Sequence, residues 1–234
     1  MATDKKAIVL LSGGLDSTVA LAWAVREYEV KRAIFVGYNH RAFKMEATVV
    51  TGIAWHYRVE VSDIRLPFYG EICKTYTELQ KTAADTANTP DGAGKLQGIW
   101  IPNRNLLFVS IAAAFAEGLG CDTIIAGLNA EEAELFPDNS EEFVERTNRA
   151  LEVSTLSKVR LVAPLIKLRK SEILKLGAEL KVPFDLVYSC YEGEEKMCGV
   201  CMSCRNLKNA MAELSETDSV PPDVLAKIAR RFSN

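Results

Sequence analysis

Two constellations in this sequence are built from residue types that do chemistry. Near the start, Ser12-Gly13-Gly14-Leu15-Asp16-Ser17 follows directly on the apolar run Ala7 to Leu11. Near the end, four of the six cysteines fall between positions 190 and 204. Their spacing is Cys190-x7-Cys198-x2-Cys201-x2-Cys204. The last three can wrap one ion through tight turns while the first returns from the preceding loop. Four thiolates fit a tetrahedral Zn²⁺, and with no histidine nearby such a site is closed and structural. A four-cysteine iron-sulfur cluster is the alternative. Disulfides are the weaker reading, because adjacent Cys-x2-Cys pairs in a reducing compartment seldom close stable bridges. Cys73 and Cys121 stand alone and read as packing or surface thiols.

A glycine turn that opens a helix aims backbone N–H groups and the positive end of the helix dipole at one spot, which suits an anion. Ser12 and Ser17 add hydroxyls, and Leu11 and Leu15 bracket the turn. Asp16 has the wrong sign to touch a phosphate and serves better through a bound Mg²⁺ or as a helix cap. The chain has neither GxxxxGK[ST] nor GxGxxG, which sets aside γ-phosphate transfer and dinucleotide binding. SGGLDS after a buried strand resembles instead the PP-loop of the ATP pyrophosphatases. Enzymes of that superfamily cleave ATP between its α and β phosphates, hold the pyrophosphate on this loop and pass AMP to a substrate oxygen. Activating an acid in this way needs positive charge around the phosphorus. Arg41, Arg104 and Lys170 are the candidate catalytic cations, whereas Lys74 and Lys208 read as surface residues.

The elements that must position these groups show in the hydrophobic pattern. KKAIVLL, VKRAIFVGY, RVEVSDI, DTIIAGLN and RLVAPL read as strands, with helical periods between them. Strands alternating with helices imply a doubly wound α/β fold with a mostly parallel sheet, which binds ligands beyond the carboxyl ends of its strands. The segments to watch are therefore 12–17, 38–46, 127–138 and 164–170. The segment IPNRNLLFVS predicts an asparagine-capped helix, and residues 70–98, rich in Ala, Thr, Asp and Gly, predict a long loop.

With 234 residues, 48% of them hydrophobic, the chain can bury a sizeable core. A net charge of -3 argues against nucleic acid as a partner. The opening MATDKK precedes only a short apolar run, so neither a membrane span nor a secretory leader is expected, and the protein reads as cytoplasmic.

Taken together, SGGLDS and SCYEGEEKMCGVCMSCRNLKNAM resemble the 7-cyano-7-deazaguanine synthase (QueC) family of the queuosine pathway. IPNRN, DTIIAGLN with Phe136-Pro137-Asp138, and PLIKLRKSEILKLG extend the similarity over nearly the whole chain. The resemblance implies an ATP-binding α/β domain over 1–185 and a small zinc-binding helical extension over 186–234. It also implies a homodimer, and a ligase that takes 7-carboxy-7-deazaguanine and ammonia, with ATP, Mg²⁺ and Zn²⁺, to the nitrile. Carried onto this sequence, Ser12, Gly13, Gly14, Asp16 and Ser17 hold ATP, Arg104 and Asn105 line the cleft, and Cys190, Cys198, Cys201 and Cys204 bind zinc.

The sequence departs from the family where substrate is expected. The usual Tyr-Gly-Gln-Arg-His is Tyr38-Asn39-His40-Arg41-Ala42, and the usual Asp with Ser-Gly-Tyr-Pro-Asp-Cys-Arg is Glu132 with Glu134-Leu135-Phe136-Pro137-Asp138-Asn139-Ser140. One alternative is thus a relative that stops at the amide or joins the acid to another amine, with His40 either a base for that amine or a structural ring. A non-catalytic ATP-binding zinc protein is another. A tRNA-thiolating relative would need a catalytic cysteine at Cys73 or Cys121.

Overall fold

The computed structural model describes residues 5–86, 100–217 and 219–233. Five parallel strands, β1 (Lys6–Leu10), β2 (Glu29–Gly37), β3 (Val61–Arg65), β4 (Thr123–Ile125) and β5 (Arg160–Val162), form one sheet in the order β3-β2-β1-β4-β5. The order reverses at β1, which makes its carboxyl end, beside that of β4, the natural crevice of the fold.

Side chains alternate across a strand, and here both faces of the central strands are covered, so the inner stretches Ala7–Val9, Ala33–Val36 and Ile124–Ile125 are apolar on both sides. Ala7 and Val9 of β1, with Ala33 and Phe35 of β2, pack on one side against α1 (Leu15–Glu27), α2 (Phe43–Tyr57) and α7 (Lys170–Glu179). Ile8, Ile34 and Val36 face the other side, where α4 (Arg104–Gly118) and α6 (Glu141–Ser154) lie. Between these helices come α3 (Pro67–Thr86), the short α5 (Ala130–Ala133) and a 3-10 turn at Pro137–Asn139. Two helices follow α7, namely α8 (Met202–Thr217) and α9 (Pro222–Ala229). Their Leu207, Leu214 and Ile228, with Met197 and Phe232, join the same apolar cluster as α1 and α7. No helix among the described residues is long and apolar enough to cross a membrane.

Two local expectations fail. The loop expected over 70–98 is helix as far as Thr86, and the remainder lies outside the described residues. Tyr69, Cys73, Tyr76 and Thr77 give α3 one shielded face at helical spacing, and its polar composition hides that face. Asn103 precedes α4 in a left-handed conformation without a side-chain cap bond. The carboxylate of Asp138 takes the capping role instead, accepting from the Asn105 N–H at 3.4 Å.

Candidate active site

The phosphate turn occupies the crevice. Between β1 and α1 the chain must reverse tightly, and Gly13 does so at φ +82°, where a Cβ would also lie 2.4 Å from a Val49 methyl. Ser12 and Ser17 tie the turn to the helix start, with their hydroxyls 3.1 Å apart and the Ser12 N–H donating to Ser17 Oγ at 3.2 Å. At the end of β4, Gly127 sits so close that a Cβ would lie 2.7 Å from the Asp16 carbonyl carbon and 2.8 Å from Ser17 N. The helix start is thus seated directly on the strand. Gly127→Ala should displace it, costing about 1–3 kcal/mol of stability and raising the KM for ATP. Urea unfolding and pyrophosphate-release kinetics check this, and an unshifted midpoint would show that the seat is loose.

A second segment clamps the turn from the far end of the sequence. Tyr188 N–H donates to the Gly13 carbonyl at 2.9 Å, and Leu15 N–H donates to Ser189 Oγ at 3.0 Å. Leu15 N–H is one of the orphan donors of a helix start, and Ser189 satisfies it.

Lys170 opens α7, its own N–H held by Glu131 at 2.9 Å. Its ammonium reaches Asp16 Oδ2 at 2.6 Å and Glu132 Oε1 at 3.7 Å, all but sealed from solvent. Burial works against charge on the amine, but Asp16 and Glu132 outweigh it and hold Lys170 above its ordinary pKa. The Asp16 carboxyl is pushed up by burial, with Lys170 opposing. Its second oxygen, Oδ1, is buried and has no hydrogen-bond partner. A hard anionic oxygen left in this state fits a divalent cation such as Mg²⁺.

Arg104 and Asn105, the first residues of α4, line the same cleft as Ser12, Gly14, Asp16 and Ser17. Burial opposes the Arg104 charge, and Tyr38, Glu132 and Asp138 restore it. Asn105 Nδ2 donates to the Asp138 carbonyl at 2.9 Å, which fixes the 3-10 turn against α4. Arg41 is not brought into this group: its side chain is 78% exposed and pairs with Glu192 at 3.1 Å. Of His40 and Glu46, bonded at 2.8 Å, it is Glu46 and not His40 that lines the cleft.

The four expected ligand cysteines meet, with all their Sγ atoms within 4.8 Å of one another. Cys198 and Cys204 are 3.9 Å apart, close to the roughly 3.8 Å that a tetrahedron of 2.3 Å zinc-sulfur bonds requires. Backbone N–H groups point at the sulfurs, from Cys198 to Cys190 at 3.4 Å and from Cys201 to Cys198 at 3.3 Å. Burial opposes thiolate formation at Cys198, yet the Val200 and Cys201 N–H groups bring that thiol down to about 7. Such a set fits a thiophilic metal. Ser189, Cys190 and Tyr191 of this segment also form part of the cleft wall. Cys121 is buried, and burial raises both its thiol and that of Cys73, which leaves neither activated as a nucleophile.

Sequence reasoning passed over Gly127, Tyr38, Glu46 and Ser189 as site residues. Gly127 and Glu46 fall within the segments flagged beyond strand ends, and Ser189 precedes a ligand cysteine, but only the folded chain shows what each touches.

The chain is similar to known proteins in sequence and in fold. A family model described as queuosine biosynthesis protein QueC matches residues 6–215. The 7-cyano-7-deazaguanine synthase of Carboxydothermus hydrogenoformans is 46% identical over 210 residues, covering 88% of this chain and 98% of that protein. The synthase of Desulforudis audaxviator is 43% identical over 210 residues, covering 88% and 96%. Among solved structures, one described as a predicted subunit of tRNA methyltransferase from Methanocaldococcus jannaschii superposes with a TM-score of 0.50 at 13% identity, covering 93% of this chain and 92% of that one, a likeness of fold.

Proposed function

This chain belongs to the QueC family of queuosine biosynthesis proteins and is an ATP-dependent synthase of that kind; from this premise we propose that it adenylates 7-carboxy-7-deazaguanine and uses ammonia to make 7-cyano-7-deazaguanine. The observation that carries the proposal is one cleft with an anion-cradling helix start at one wall and the half-buried cation Arg104 at another.

The acid's oxygen attacks the α-phosphorus of ATP, and pyrophosphate leaves onto Ser12, Gly13, Gly14 and Ser17. Leu11 and Leu15 hold the ends of that turn. Ammonia then adds at the acyl carbon and AMP leaves, giving the amide and releasing a proton. The amide oxygen attacks the α-phosphorus of a second ATP as pyrophosphate leaves and one N–H proton is lost, and departure of AMP with the second N–H proton gives the nitrile. Arg104 steadies the negative charge that grows on the transferred phosphoryl and acyl oxygens, Lys170 holds Asp16 in place, and Asn105 keeps the α4 start against Asp138. Asp16 Oδ1 would hold Mg²⁺, which supplies charge neutralisation at the phosphates when bound. Arg41, paired with Glu192 in the structure, would act on substrate only after leaving that partner.

Zinc on Cys190, Cys198, Cys201 and Cys204 would be structural, in an extension over 186–234 appended to an ATP-binding domain over 1–185. The family resemblance supports a cytoplasmic homodimer that works on free small molecules.

Incubation with ATP, Mg²⁺, ammonium and 7-carboxy-7-deazaguanine, followed by mass analysis, is the test. Nitrile is expected. Amide alone would point to a relative that stops halfway, and unchanged acid with no pyrophosphate released would sink the assignment.

A further inference from the structure

Resting on that reading of the substrate, we propose that Glu46 is the residue that recognises the guanine-type edge of the acid, and so sets the specificity of the cleft. Three carboxylates line the cleft: Asp16, Glu46 and Glu132. Asp16 and Glu132 both serve Lys170, at 2.6 Å and 3.7 Å. Glu46 does not. Its Oε2 lies 2.8 Å from His40 Nε2, and among the described residues no other side chain bonds its carboxylate. His40 is itself fixed, its ring stacked on Tyr38 with centroids 4.3 Å apart. With the ring nitrogen donating to Oε2 the carboxylate is oriented, and among the described residues no side chain bonds Oε1.

The walls around Glu46 suit a flat heterocycle. Tyr38 and Phe108 both line the cleft, with ring centroids 6.0 Å apart. A 2-aminopyrimidin-4-one edge carries a ring N–H and an exocyclic amine side by side, two donors that a single carboxylate accepts in parallel. Adenine has the exocyclic amine but no ring N–H beside it. Glu46 therefore distinguishes the deazaguanine acid from the base of ATP within one cleft, and Arg104 in the same cleft offers a cation to the carboxyl at the other end of the bicycle.

The test compares 7-carboxy-7-deazaguanine with its 2-desamino analogue, in the intact chain and in Glu46→Gln. The intact chain should favour the amino-bearing acid in kcat/KM by on the order of 10- to 100-fold. In Glu46→Gln that preference should fall to within about two-fold, with the KM for ATP unchanged. A role confined to holding the loop would lower both acids together and preserve the ratio, which overturns the proposal. If Glu46→Gln does not fold, Glu46→Asp, which keeps the charge toward His40 but retracts the carboxylate, must show a reduced ratio. An intact chain that turns over both acids equally overturns the proposal without any variant. Pyrophosphate release from neither acid would instead remove the functional reading on which the proposal stands.

Discussion

Asp16→Asn is expected to lower pyrophosphate release by about 10³-fold while leaving the chain folded. The substitution keeps the size and shape of the side chain, and Lys170 retains a carboxylate neighbour in Glu132 at 3.7 Å. What disappears is the charge on two oxygens with different duties. Oδ2 holds the Lys170 ammonium at 2.6 Å, and Oδ1 is buried without a partner in the same cleft as the phosphate turn. A buried anionic oxygen left unpaired is costly unless a cation completes it, and on the proposed function Mg²⁺ bound to ATP would supply that cation. The measurement is the rate of pyrophosphate release at saturating ATP and Mg²⁺, alongside the thermal midpoint. A variant within ten-fold of the parent would mean that Asp16 serves only as a partner for Lys170.

The second large effect concerns the cysteines. Cys204→Ser, or exhaustive chelation, should remove one zinc per chain and lower the thermal midpoint by more than about 10 °C, since each kcal/mol lost from a domain of this size shifts it by a few degrees. A metal on these cysteines would hold a segment whose Met197 and Cys204 are buried in the main core, with Leu207, Leu214 and Phe232 beside them. Without the ion, four thiols lie within 4.8 Å of one another and the turn Cys198–Cys204 loses its organising centre. Elemental analysis gives the identity of the metal. Iron with acid-labile sulfide would replace zinc by a cluster, and a metal-free chain with an unchanged midpoint would remove the site altogether.

The fold and the two constellations were legible in the sequence because both depend on short-range pattern. Five apolar runs alternating with helical periods already specify a doubly wound sheet, and SGGLDS and the cysteine spacing each carry their chemistry within a few residues. The remainder was hidden where a residue acts on a distant part of the chain. Ser189 looks like a neutral residue beside a ligand cysteine until Leu15 N–H is found on its hydroxyl. Gly127 shows its purpose only through the Asp16 backbone lying against it. Arg41 follows β2 as expected, but Glu192, 151 residues further on, draws its side chain away from the cleft. For α3, the shielded face is carried by polar or small side chains such as Cys73 and Thr77, while Phe68 and Ile72 are exposed, so no apolar period marks the helix.

The clamp on the phosphate turn has a consequence for how the molecule comes into being. The bond from Leu15 to Ser189 spans 174 residues, so the clamp on this turn cannot form until the chain has been made beyond Ser189. Contacts of such long sequence separation form late and slowly. A truncated product that ends before Tyr188 would carry an intact SGGLDS and still lack the partner that steadies it. Possession of the motif by a fragment is therefore no sign of competence, and newly made chains stay idle until their tail has docked.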